Sequence, residues 1–151
     1  MNCKDKRGVT LIELVVVIAI IAIGAVLLAP NIGAWLPNYR LRSATQEVVS
    51  LLRTAQMKAI STNREYQVSF NPGAGTYILQ YRHTDGVTWL DDGVTQTLPS
   101  GVLISNMTFP GNKAQFNPNS TSSTGRMTLT NTKGSNKTIT LTPATGRAKI
   151  D

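Results

Sequence analysis

One carboxylate stands out by its surroundings. Glu13 is the only charged residue between Gly8 and Ala29, a stretch that is otherwise almost entirely apolar. A carboxylate at the centre of a bilayer costs about 2.5 to 3.5 kcal/mol even on insertion scales. We therefore predict that Glu13 has a function; the alternative is that it lies at the membrane interface and reaches toward water.

The other residues with chemical potential are few. His83 is the only histidine, and the sequence points to no nucleophile that would act with it and Asp85. Asp91 and Asp92 supply too few ligands for calcium and, with Gly93, are typical of a turn. The sequence has no phosphate-binding loop and no cluster of metal ligands. We therefore predict neither an enzyme nor a cofactor or metal site.

The apolar run itself predicts a membrane helix. At 1.5 Å per residue, residues 9–29 are long enough to cross a hydrocarbon core of roughly 30 Å. Lys4, Lys6 and Arg7 precede this run and favour a cytoplasmic N-terminus. The sequence therefore predicts a single-pass protein with its N-terminus inside and most of the chain outside.

The residues around Gly8 form a specific motif. The run Lys6-Arg7-Gly8-Val9-Thr10-Leu11-Ile12-Glu13-Leu14 resembles the type IV prepilin signature, with a basic leader, a glycine at the cut and glutamate at the fifth position of an apolar helix. The resemblance implies a bacterial inner-membrane protein that a prepilin peptidase cleaves between Gly8 and Val9, with methylation of the new amine of Val9. Most members have Phe where this chain has Val9. Residues 1–8, which include the only cysteine, would be a cleaved leader.

Cleavage would give Glu13 a specific partner. The free amine of Val9 would lie in an apolar environment, where a nearby carboxylate offsets its charge. In an assembly of parallel helices, that amine belongs to a neighbouring subunit. We therefore predict that Glu13 acts in assembly with other pilin or pseudopilin subunits.

Residues 30–63 are predicted to kink and then to continue as an amphipathic helix. Pro30 and Pro37 bracket the stretch in which the helix should bend or loosen. Apolar residues then recur at spacings of three and four as far as Thr62-Asn63, and this stripe should pack on the β domain of the same chain. Its members are Leu41, Ala44, Val48, Leu51 and Ala55, widened by Val49, Leu52 and Ile60.

Residues 64–151 are predicted to form a β-rich globular domain. From Glu65 the apolar residues alternate, and the run 71–75 interrupts the alternation as a turn, which indicates a hairpin. Seven further short strands are predicted, at residues 87–90, 94–98, 102–109, 114–116, 127–130, 137–142 and 147–150. The segment from Asn117 to Gly125 has no periodicity and is predicted to be a mobile loop.

The predicted fold class is α+β and pilin-like, with a long N-terminal helix, half membrane-embedded and half amphipathic, packed on a small antiparallel β domain. The order of elements and the ending Pro143-Ala144-Thr145-Gly146-Arg147-Ala148-Lys149 resemble the GspH/FimT-like minor pilins and pseudopilins. The resemblance implies a low-abundance subunit of a type IV pilus or of a type II secretion pseudopilus. Such a subunit leaves the inner membrane for a periplasmic or surface filament.

The basic C-terminal third suggests an alternative function. From Lys113 onward the only acidic residue is Asp151, and the formal charge of the chain is +7. Gly146-Arg147-Ala148-Lys149 resembles the Gly-Arg-x-Arg motif of DNA-binding FimT proteins, with Lys149 at the second arginine. The resemblance implies binding of double-stranded DNA and a role in DNA uptake; the other interpretation is a solvated edge strand whose charges prevent aggregation. The candidate residues are Arg147, Lys149, Lys137, Lys133 and Arg126.

Overall fold

The computed structural model describes residues 9–28 and 32–151 of the chain. It divides into two compact units, with the boundary between Leu36 and Pro37. The first unit contains α1 (Leu11–Leu28), whose described large apolar side chains are between 47% and 81% exposed. Over the part of the chain that is described, no helix combines the length and the apolar character that crossing a membrane requires. The predicted leader (residues 1–8) and the end of the predicted span (Ala29) lie outside the described residues.

The second helix, α2, runs from Ile32 to Thr62 and continues through Pro37, although a proline removes one helical hydrogen bond. The other proline of the predicted kink, Pro30, lies outside the described residues. At the far end Asn63 adopts a left-handed conformation, and the N–H of Arg64 donates to the carbonyl of Ala59 at 3.2 Å. This pattern is a Schellman-type stop, and it ends the helix where the sequence predicted.

One face of α2 is buried against the β domain. The buried positions follow the helical period, so that the apolar stripe is continuous along this side of the helix. Ala59 continues the stripe at the C-terminal end, while Ile60 is 47% exposed and does not belong to it, contrary to the prediction. The buried residues are Leu41, Ala44, Thr45, Val48, Val49, Leu52, Ala55 and Ala59.

In the described part of the chain, nine antiparallel strands form two sheets. The first sheet has the order β3-β2-β1-β6, with β4 also paired to β2, and the second has the order β5-β7-β8-β9. The strands are β1 (Tyr66–Asn71), β2 (Thr76–Arg82), β3 (Trp89–Asp91), β4 (Gln96–Thr97), β5 (Val102–Met107), β6 (Lys113–Phe116), β7 (Gly125–Asn131), β8 (Asn136–Thr142) and β9 (Arg147–Ile150). The buried side chains of α2 and of both sheets form one core, which lies entirely between Leu41 and Ala148. The predicted α+β class, a long helix on antiparallel sheets, is confirmed.

The edge strand β5 contains an irregularity. Its pairing with β7 shifts register between Ile104 and Asn106, so that Ser105 forms a β-bulge. The hydroxyl of Ser105 donates to the carbonyl of Thr128 at 3.2 Å. A bulge bends the strand locally, and therefore β5 is not a straight edge.

The segment between β6 and β7, predicted as a mobile loop, is hydrogen-bonded at several points. The N–H of Asn117 donates to the carbonyl of Thr121 at 2.8 Å, and the N–H of Ser122 donates to the carbonyl of Pro143 at 2.9 Å. Ser122 is also buried and forms an isolated bridge with Phe116. The segment therefore joins the two sheets as an ordered turn.

Candidate assembly and binding sites

The N-terminus of α1 places Glu13 in a helix cap. The N–H of Glu13 donates to the hydroxyl of Thr10 at 3.3 Å, while the N–H of Leu14 donates to the Thr10 carbonyl at 3.2 Å. Thr-x-x-Glu is the spacing of a capping box, and a carboxylate in the first turn also meets the positive end of the helix dipole. This capping role was not predicted, although the spacing of Thr10 and Glu13 in the sequence indicates it.

The Glu13 carboxylate itself is exposed and has no hydrogen-bond or ion-pair partner among the described residues. Val9, two positions before the helix, is 73% exposed. Gly8, on the other side of the predicted cleavage site, lies outside the described residues. Among the described residues, therefore, nothing occupies the carboxylate of Glu13.

Three of the five basic candidates share the outward face of the second sheet. Thr140 pairs with Arg126 on one side and with Lys149 on the other. Arg126, Thr140 and Lys149 therefore form one row across β7, β8 and β9. Arg147 lies two positions before Lys149 and therefore on the same face. All three basic side chains are exposed, whereas Ala148 between the last two is 2% exposed and packs in the core.

The other two candidates are elsewhere. Lys137 pairs with the buried Leu129, which places it on the helix-facing side of the sheet, at its rim. Lys133 lies in the turn between β7 and β8. The five basic residues therefore form no single surface.

The charge of Lys149 is partly compensated within the chain. Its ammonium group donates to the carboxylate of Asp151, which also accepts from the hydroxyl of Thr140 at 3.1 Å. The hydrogen bond from Lys149 and then that from Thr140 hold the pKa of Asp151 below its usual value. Arg147 has no such partner among the described residues, so that it is the freer cation of the pair.

Gly146, the first residue of the basic motif, also has a structural role. Its φ is +60°, and a Cβ built on it would lie 2.6 Å from Nε2 of Gln56 and 2.9 Å from the carbonyl oxygen of Ser120. The same Gln56 amide donates to the carbonyl of Thr145 at 2.6 Å. The turn between β8 and β9 is thus fixed to α2 at a position where only glycine fits.

The polar residues considered for catalysis or metal binding serve local structure. Asp85 accepts hydrogen bonds from the N–H groups of Val87 and Thr88, each at 2.9 Å, and from the Thr88 hydroxyl at 2.6 Å. These bonds, with the Thr88 hydroxyl first, hold the pKa of Asp85 well below its usual value. Asp91 accepts from the Gln80 side chain, while Asp92 pairs with Lys58 at 2.7 Å.

Comparison with known proteins gives the family. The model of the family described as type II transport protein GspH matches residues 44–146, and that of the prokaryotic N-terminal methylation motif matches residues 3–29. Type II secretion system protein H of Xanthomonas campestris pv. campestris is 35% identical over 69 residues, which cover 46% of this chain and 41% of that protein. The alignment thus spans less than half the length of this relative.

Solved structures share the fold. The minor pseudopilin EpsH from the type 2 secretion system of Vibrio cholerae superposes with a TM-score of 0.64 at 11% identity, covering 74% of this chain and 96% of that one. The type IV minor pilin FimU of Pseudomonas aeruginosa superposes with a TM-score of 0.54 at 13% identity, covering 74% and 92%.

A long helix packed on two antiparallel sheets, preceded by an N-terminal methylation motif, defines the class of minor pilins and pseudopilins. Since the GspH model covers more than half of the sequence, the chain belongs to the GspH family.

Proposed function

We propose that this protein is a minor subunit of a filament, either the pseudopilus of a type II secretion system or a type IV pilus, and that it enters the filament through its N-terminal helix. The observation that carries this proposal is the match of two models to successive parts of one chain, the methylation motif over residues 3–29 and GspH over residues 44–146. The description of the matching family and the name of the Xanthomonas relative favour type II secretion.

The properties of α1 support assembly through this helix. Its described large apolar side chains are exposed in the isolated chain, and exposed apolar surface of this kind requires cover from lipid or from other helices. Before assembly, residues 9–29 would lie in the inner membrane with the basic residues 4, 6 and 7 on the cytoplasmic side. In the filament, neighbouring copies of such helices would replace the lipid.

Processing is the first step of the proposed route. A prepilin peptidase would cleave between Gly8 and Val9 and the amine of Val9 would be methylated, which leaves a cation at the start of the helix. The exposed carboxylate of Glu13 would neutralise the corresponding amine of a neighbouring subunit. This pairing would be strong because lipid or packed helices, rather than water, surround it.

The test begins with the intact mass of the chain expressed with and without a prepilin peptidase. We expect the loss of eight residues, Met1 to Gly8, and the addition of one methyl group on the amine of Val9. An uncut chain, or a cut beyond Leu28, would contradict the proposal. Deletion of the gene in its own host should then impair protein secretion, pilus function or both, and the affected process identifies the machine.

One observation keeps DNA binding as a second candidate function. Arg126, Arg147 and Lys149 share an exposed face whose remaining side chains are mostly threonine hydroxyls, a surface suited to phosphate oxygens. The ion pair between Lys149 and Asp151 reduces the free charge of this face. Binding through it would be weak, dependent on salt and indifferent to sequence.

A further inference from the structure

The last strand leaves an unpaired edge. β9 is the terminal strand of the second sheet, and the backbone groups of Asp151 are paired with those of Thr138. Hydrogen-bonded and non-hydrogen-bonded pairs alternate in an antiparallel ladder, and Ile150 is opposite Ile139 at a non-hydrogen-bonded position. The N–H and C=O of Ile150 therefore point away from β8, toward the open side of the sheet.

A groove lies at the end of this edge. It has a volume of about 460 Å³ and lies between α2 and the rim of the sheet, where it is lined by residues 135–137 and by one residue of β9, Ile150. Its apolar lining includes Leu41, on α2, and Ile150, which is 37% exposed. Arg42, on α2, and Lys137, on β8, add cationic groups to the same wall. The groove thus combines an apolar floor with two positive charges.

These two charges are not satisfied among the described residues. Neither the Arg42 nor the Lys137 side chain has a hydrogen bond or ion pair with another described residue, and both side chains are exposed. The nearest acidic residue along α2, Glu47, accepts from the hydroxyl of Ser43. On the opposite face of β9, Asp151 is held by Lys149, whereas Arg147 has no ion-pair partner among the described residues. The edge strand therefore has a net positive charge on both faces.

The charge pattern decides which occupant fits. A second copy pairing through its own β9 would bring Arg147 and Lys149 of one chain against the same residues of the other, and like charges on adjacent strands repel. An extended segment with carboxylates would instead meet an opposite charge at each face. An added strand gains backbone hydrogen bonds from the edge and specificity from the side chains beside it.

We infer that this groove is a docking site for an extended, acidic segment of a partner protein, which adds to β9 as a further antiparallel or parallel strand. Carboxylates of the partner contact Arg42 and Lys137, while its backbone pairs with the free N–H and C=O of Ile150. The residues that line the groove all belong to the second unit, and Arg42 and Lys137 are not part of the outward row of Arg126 and Lys149.

The direct test is binding of a labelled peptide of alternating Glu and Val to the full chain in detergent micelles, followed by fluorescence anisotropy. We expect saturable binding of this peptide and none of a matched peptide of alternating Lys and Val. A third peptide has the Glu/Val sequence with N-methyl groups on alternate backbone nitrogens, which keeps the charge and removes the donors of an added strand. We expect its affinity to be lower by about tenfold or more.

Variants locate the site. Arg42→Gln combined with Lys137→Gln should weaken the binding of the Glu/Val peptide about tenfold, since both proposed ion pairs are lost. Lys113→Gln combined with Arg126→Gln removes the same charge from the other sheet and from the outward face, and should have little effect. Ile150→Pro removes the outward N–H without disturbing the bonds to β8, and should also weaken binding.

Three results would overturn the inference. Equal binding of the N-methylated peptide would show that no strand is added. An equal loss in the two double variants would show attraction by overall charge rather than a site in the groove. Binding of duplex DNA that depends on Arg42 and Lys137, with no binding of the acidic peptide, would make the groove a nucleic-acid site instead.

Discussion

Replacement of Gly146 by alanine tests whether the glycine of the basic motif is structural. The substitution places a Cβ at a φ of +60°, which costs about 1 kcal/mol, at the lower end of the range for a residue other than glycine. The new atom would also lie 2.6 Å from Gln56 Nε2, so that the amide must move and give up its hydrogen bond to Thr145. That bond is worth about 0.5 to 1.5 kcal/mol.

The Ser120 carbonyl oxygen, 2.9 Å from the same position, belongs to the backbone and cannot rotate away. Its displacement adds about 1 kcal/mol, at the lower limit for overpacking. We expect a total destabilisation of about 3 kcal/mol. In a unit of this size, residues 37–151, that corresponds to a decrease in Tm of about 12 °C.

The matched control is Gly111→Ala. Gly111 has the same φ of +60°, but nothing lies within 4 Å of a Cβ built on it. Alanine there should cost only the conformational strain, about 1 kcal/mol and about 4 °C. Both substitutions lower the entropy of the unfolded chain equally, so that this effect cancels in the comparison.

The assay is thermal unfolding of the full chain in detergent, followed by circular dichroism of the sheets. The double variant Gln56→Ala with Gly146→Ala should be less destabilised than the sum of the two single variants, because each single variant loses the hydrogen bond of the Gln56 amide to Thr145 and the double variant loses it only once. If Gly146→Ala and Gly111→Ala lower Tm equally, the contacts of Gly146 with α2 and Ser120 add nothing to the cost of the substitution, and the prediction is refuted.

Further predictions concern charge. Glu13→Gln should leave cleavage and the helix cap intact but reduce incorporation into filaments, as measured by immunoblotting of sheared filaments. Thr10→Ala weakens the cap and keeps the carboxylate, and it should therefore reduce incorporation less. In titrations with duplex DNA at several salt concentrations, the double variant Arg147→Ala with Lys149→Ala tests phosphate binding by the outward face. The slope of the logarithm of the binding constant against the logarithm of the salt concentration should fall by about two units in magnitude, and an unchanged slope would exclude phosphate contacts by these two residues. Because the pKa of Asp85 is lowered by folding, its contribution to stability is full above the unfolded pKa near 4 and is lost progressively as the pH falls from there toward the much lower folded pKa. Between pH 5 and pH 2 the Tm of Asp85→Asn should therefore decrease less than that of the wild type.

Local patterns predicted the elements well. The hairpin of β1 and β2 and the bounds of β9 follow from the alternation of apolar residues and from turn residues. The end of α2 at Thr62 follows from Asn63, a residue that tolerates a left-handed conformation. Each of these signals acts over a few residues. The prediction for Ile60 was wrong because the buried stripe passes through Ala59, and one residue turns a helix by about 100°.

Pairings between distant segments were not accessible in the same way. β6 lies beside β1 although more than forty residues separate them in the chain, and no local pattern encodes that contact. The row of Arg126, Thr140 and Lys149 depends likewise on which strand lies between β7 and β9. The sequence therefore offered Arg126 and Lys137 as candidates, but it did not predict that Arg126 lies beside Arg147 and Lys149 or that Lys137 lies on the other face.

The two borders of the second sheet differ, and the difference limits the stoichiometry of any sheet-mediated contact. At β5 the bulge at Ser105 bends the backbone out of the straight geometry that a neighbouring strand needs, and the serine hydroxyl is already engaged by Thr128. Of the two borders of this sheet, the one at β9 is therefore the better suited to accept a strand, and its cations repel another copy of itself. A sheet with one acceptor border and no matching donor border can bind one strand and then stop, so that contacts through this sheet give complexes of finite size. Deletion of Ser105 would straighten the second border, and with it the chain would acquire a route to open-ended sheet growth and fibre formation.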